Sequence, residues 1–90
     1  MLNIPKIIAV HPIDNYELII EFSNHEYRQY DVKPLLEKAM FEPLKNRAFF
    51  KAVKIEQGGY AVSWNTDIDI SEYELWSNGK VSLAHQQFGT

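Results

Sequence analysis

The chain contains no cysteine, which excludes disulfide scaffolds, Cys-ligated zinc, iron–sulfur clusters and thiol nucleophiles. No apolar run approaches the roughly 20 residues that a bilayer-spanning helix requires; stretches such as Ile7-Ile8-Ala9-Val10 are far shorter. The start, Met1 to Lys6, lacks the basic segment and long apolar run of a signal peptide. A cytoplasmic protein with no membrane contact is therefore expected. Positive charge is also scarce. Nine Lys/Arg against twelve Asp/Glu give a formal charge of −3, which argues against a domain whose main work is neutralising phosphates.

What is present is ordinary globular composition in 90 residues, the length of one small domain: 46% hydrophobic and 23% charged. Large aromatic side chains make up 13% and let a short chain build a core without crosslinks. Lys6 to His11 reads as a strand bounded by Pro5 and by a turn at Pro12-Ile13-Asp14-Asn15. From Tyr16 to Phe22 the apolar residues Tyr16, Leu18, Ile20 and Phe22 alternate with others, the period of a strand with one buried face. Ile19, between Glu17 and Glu21, falls on the opposite face and calls for cover by a helix or a partner. Ser23-Asn24-His25 is a turn leading into a strand over Glu26 to Tyr30. There Tyr27 and Tyr30 cannot share a face unless a bulge intervenes.

Asp31 is placed to cap a short helix through Leu35, Leu36 and Ala39, interrupted before Pro43. A second short helix is expected from an Asn46 cap through Ala52. Val53 to Gln57 and Tyr60 to Trp64 read as a hairpin about Gly58-Gly59, with Tyr60, Val62 and Trp64 on one face. Ile68 to Ile70 is a short extended piece. Ser71 and Glu74 have the spacing of a capping box, and Gly79 stands where a helix stop is expected. The sum is an α+β domain over residues 1–79: two β-hairpins, mainly antiparallel sheet, with short helices between and after them. Residues 80–90 show no period and read as a loosely ordered tail.

The runs Ile8 to Tyr16 and Tyr30 to Leu36 resemble a bacterial family, domain of unknown function 2442. Phe41 to Lys45, Phe49-Phe50 and Asp69 to Trp76 follow the same pattern, so the resemblance covers roughly residues 4–79. It implies a compact α+β domain with no assigned activity. Some relatives carry an added helix-turn-helix domain; others are encoded beside a second small protein in an arrangement like a toxin–antitoxin pair. Members usually have glycine after the asparagine at 24, where this chain has His25.

No catalytic constellation stands out, so no enzyme activity, cofactor or metal is expected. Asp67, Asp69, Glu72 and Glu74 are the densest carboxylates, but at a helix start they serve the helix dipole, and EF-hand spacing is missing. Lys45, Arg47, Lys51 and Lys54 place four of the nine basic residues within ten positions, a candidate docking face for an acidic partner or nucleic acid. His11, His25 and His85 lack the clustering that metal ligation demands. Trp64 and Trp76 are the residue types that anchor interfaces, although core packing is their commoner use. The candidate interaction surface is therefore Arg47, Lys51, Lys54, Trp64, Asp69 and Trp76. The expected role is a non-enzymatic protein-interaction module, the acidic, antitoxin-like member of a two-protein system. Its partner would be another small protein or a second copy. The rival expectations are a DNA-associated regulator working through the Lys45–Lys54 face and, last, a small enzyme using Asp69 with Tyr30 or His11.

Overall fold

The computed structural model describes residues 4–82. Strands β1 (Ile7–Ile13), β2 (Glu17–Phe22) and β3 (Tyr27–Asp31) form an antiparallel meander. Two 3-10 turns, Lys33–Glu37 and Ala39–Lys45, lead to helix α1 (Arg47–Lys51). Then come β4 (Lys54–Ile55), β5 (Ala61–Ser63), β6 (Asp69–Ser71), α2 (Glu72–Asn78) and β7 (Lys80–Ser82). Two antiparallel sheets result, one ordered β1-β2-β3-β7 and the other β4-β5-β6, so the architecture is α+β.

The alternation read in β2 decides which face is inside. Leu18, Ile20 and Phe22 join Ile7, Tyr30 and Val32 in one core with Val62, Trp64, Ile70 and Leu75 from the second half. Ile19 is also fully buried within the chain, lying between His11 and Gln29 across the sheet. The tyrosine conflict on β3 resolves without a bulge: Tyr30 points into the core and Tyr27 lies half-buried on the other face. The inward position beside Tyr30 falls to Arg28, whose guanidinium stacks 3.8 Å above the Trp76 ring and donates to the Trp76 carbonyl. An arginine is tolerated there because its planar group meets a π-face and an acceptor together.

Several expectations change. β1 continues through Pro12 to Ile13; proline is allowed because β1 is an edge strand. The reversal instead uses Asn15 and Tyr16, both at positive φ. No α-helix follows Asp31. That residue ends β3, its carboxylate accepts from Lys33 N–H at 2.9 Å, and prolines 34 and 43 confine the segment to 3-10 turns. The loop at Gly58-Gly59 has four residues rather than two, because Glu56 N–H bonds to Ala61 C=O; Tyr60 is thereby exposed. Both glycines do have positive φ. Gly59 is also pressed against β1, where a Cβ would lie 2.5 Å from the Ile7 carbonyl oxygen. This close approach seats the second sheet against the first. Lys80–Ser82 is not tail but a strand paired with β3, while residues 83–90 lie outside the described residues.

Asn46 caps α1 as expected, accepting from Phe49 N–H at 3.0 Å. Ser71 likewise caps α2, accepting from Glu74 N–H at 3.1 Å. The capping box stays half-made, because the Glu74 carboxylate turns away from the helix start toward Tyr30 and Asn78. Gly79 stops α2 at φ −75, outside the left-handed region; it is needed for room, since a Cβ would meet the Leu75 carbonyl oxygen at 2.5 Å.

Candidate interaction groove

Glu17 starts β2, Asp31 ends β3, and their backbones pair directly. Glu74 arrives from the first turn of α2, forty-four residues beyond Tyr30, with which it bonds. Together these carboxylates rim an open groove of about 510 Å³, whose apolar wall is Pro34 and Leu35. A second depression of about 280 Å³ shares Tyr30, Leu35 and Glu74 with it and extends to Phe41 and along β6. The trough thus lies between the two sheets, lined by both apolar and acidic side chains.

The carboxylates are held in place rather than free. Tyr30 donates its hydroxyl to Glu74 at 2.7 Å, and the Asn78 amide donates to the other Glu74 oxygen at 2.9 Å. Gln29 donates to Glu17. The Lys33 ammonium lies 3.1 Å from Asp31 and 3.5 Å from Glu17. Burial, then the Glu74 hydrogen bond and the Glu74 and Asp31 charges, push the Tyr30 phenol well above its usual range. Bonding to Asp31 likewise raises the Lys33 ammonium. Apart from Lys33, the only cation at the trough among the described residues is Lys80 on its rim.

The residues singled out from sequence do not form one surface. Trp64 is buried: its ring stacks on Phe50 at 6.0 Å and its indole N–H donates to the Phe50 carbonyl at 2.8 Å. Trp76 is half-buried, packed edge-on against Phe22 and beneath Arg28. Asp69 is exposed and lines the trough. Arg47, Lys51 and Lys54 are exposed elsewhere, and among the described residues neither they nor Lys45 makes an ion pair. Arg47 and Lys51 flank the half-buried Tyr16, whose hydroxyl donates to the Lys45 carbonyl. The acidic cluster is likewise split, since Glu72 turns to a bidentate bond with Lys6 while Glu74 faces the groove.

The groove-forming Glu17, Asp31 and Leu35 carried no sequence signal as a group. Each reads locally as a solvent-facing strand position, a cap and a helix face. No helix among the described residues is long and apolar enough to cross a membrane. Neither a curated protein nor a solved structure matches the chain. A family model does match, over residues 7–81, and the chain belongs to that family, described as Protein of unknown function (DUF2442).

Proposed function

We propose that the protein is a non-enzymatic interaction module, the acidic member of a two-protein pair, and that the groove receives a basic segment of a small protein partner. The observation that carries this reading is a trough lined by Pro34, Leu35 and Tyr30 together with carboxylates of Glu17, Asp31 and Glu74 that are hydrogen-bonded or ion-paired in place. An apolar centre with a charged rim is the anatomy of a specific interface, where the rim steers and the centre holds. Aromatic and aliphatic surface in an open depression also suits a protein segment better than a small metabolite, which favours enclosed pockets.

The test is co-purification of the full chain from its native host, repeated with Asp31→Asn and Glu74→Gln. A defined partner is expected whose retention drops about tenfold or more in the variants, as loss of charged contacts predicts. A partner retained equally by all three proteins, or none at near-native expression, overturns the reading.

One observation favours a second reading, contact with nucleic acid. Lys45, Arg47, Lys51 and Lys54 are exposed and free of ion pairs among the described residues. Phosphate binding by this face must weaken steeply as salt rises. A polarisation titration with duplex DNA that shows no salt dependence dismisses it.

A further inference from the structure

Among the described residues β6 lies at the edge of its sheet, paired to β5 on one side and to no strand on the other. The hydrogen bonds that flank β6 fix the orientation of its backbone. Glu72 N–H donates to Tyr60 C=O and Trp64 N–H to Ile68 C=O, so the alternation of an antiparallel ladder makes Ile70–Val62 the bonded pair between them. Asp69 and Ser71 therefore turn their backbone groups away from β5. On the far side of the sheet, Ala61 obeys the same alternation, its carbonyl accepting from Glu56 N–H in the direction of β4. Ser71 spends its carbonyl on the first turn of α2, as an N-cap residue does. That leaves the Asp69 N–H and C=O and the Ser71 N–H facing outward, along the wall of the 280 Å³ depression. Leu35 and Phe41, both half-buried, line the same depression and offer apolar surface to alternate side chains of an extended chain.

Charge decides what kind of chain fits. Asp69 is exposed on the edge itself, Glu74 lies beside it, and Asp31 and Glu17 continue the acidic wall. A second copy of β6 would bring another Asp69 against the first, a like-charge repulsion that discourages pairing between identical edges. A basic strand meets opposite charge at Asp69 and Glu74, with the cations Lys33 and Lys80 confined to the Glu17 and Asp31 end of the trough. Resting on the groove-docking reading above, we infer that the partner enters as an added β-strand: an extended segment with alternating basic and apolar residues pairs its backbone with Asp69 and Ser71. Its apolar side chains face Leu35 and Phe41, and its cations meet Asp69, Glu74 and Asp31.

The test uses the full chain and the terminally capped peptide Arg-Val-Arg-Leu-Arg-Val-Arg, together with the same peptide methylated on every backbone nitrogen. Affinity is read by calorimetry and location by amide chemical shifts of the labelled protein. The unmodified peptide is expected to shift Asp69, Ser71 and Leu35. The methylated form keeps the side chains but lacks backbone donors, and it should bind at least about tenfold more weakly, the worth of roughly one hydrogen bond or more. Equal affinity of both peptides at the groove overturns strand addition and leaves groove docking standing. Failure of both to shift any groove residue overturns the two readings together. A pair of variants gives an independent check. Asp69→Asn removes the charge and keeps the edge N–H, whereas Asp69→Pro removes that N–H at a position where an edge strand tolerates proline. The proline variant should bind about tenfold more weakly than the asparagine variant, and equal binding by two folded variants overturns the inference.

Discussion

Two regions of this small domain carry opposite charge and are built in opposite ways. From Lys38 to Lys54 the chain has five cations and one anion, a local charge of +4; the remaining residues hold four cations and eleven anions, −7. The basic region comes from one contiguous stretch, and its cations extend into solvent without ion pairs among the described residues. It is anchored through aromatic rings: Phe50 packs edge-on to Tyr16 at 5.2 Å and stacks on Trp64. The acidic groove draws on β2, β3, β6 and α2; Asp69 is exposed, while the carboxylates of Glu74, Glu17 and Asp31 are held by Tyr30 and Asn78, by Gln29 and by Lys33. Fixed charges lose little freedom when a ligand arrives, whereas long exposed lysines must be ordered first. The difference makes the groove the better candidate for specific recognition and the basic stretch the better candidate for diffuse, salt-sensitive attraction.

The comparison breaks most sharply at the anchor. Phe50→Ala should cost about 3–5 kcal/mol in urea unfolding, because it opens a cavity under both Tyr16 and Trp64. Hydrogen exchange in that variant should speed up first over Arg47–Lys51 while β2 stays protected. Equal loss of protection everywhere would mean that the basic region is not separately anchored. Next in size is Gly59→Ala, expected to cost about 2 kcal/mol, since φ is +76 and the new Cβ would crowd the Ile7 carbonyl. Amide shifts should then change along the groove, which lies between the two sheets that Gly59 brings together.

Smaller effects separate the regions electrostatically. Tyr30→Phe removes one hydrogen bond from Glu74 and should cost about 1 kcal/mol at neutral pH. The sign of its pH dependence follows from the raised phenol pKa. The folded protein holds the Tyr30 proton more tightly than the unfolded chain, so this stabilisation is complete below pH about 10 and fades as pH climbs above it. Tyr30→Phe should therefore show a shallower alkaline loss of stability than the parent, and identical slopes would contradict the assignment. Smallest of all, Arg47→Glu with Lys51→Glu should alter stability by less than about 0.5 kcal/mol, since both side chains are exposed. Any salt-dependent polyanion binding should vanish in that double variant while groove-directed peptide binding persists.

Much of the local structure was legible because it depends on neighbours in sequence. The alternation of Leu18, Ile20 and Phe22 set the buried face of β2, and Asn46 and Ser71 cap their helices where short-range chemistry places them. Reading failed where a distant contact overruled a local habit. Lys80–Ser82 has no period of its own and becomes a strand because β3 offers an unpaired edge. Glu74 leaves its capping role half-filled because Tyr30 stands within reach.

The sequence alone determined an acidic, cysteine-free α+β domain, because composition and short periods are properties of the unfolded chain as much as of the folded one. It also determined the position of the basic stretch, whose residues are contiguous. Only the tertiary structure decided that Glu17, Asp31 and Glu74 share one trough and that β6 runs along it. Such groupings arise when sheet pairing and core burial bring separated segments together, and no local pattern records which segments will meet.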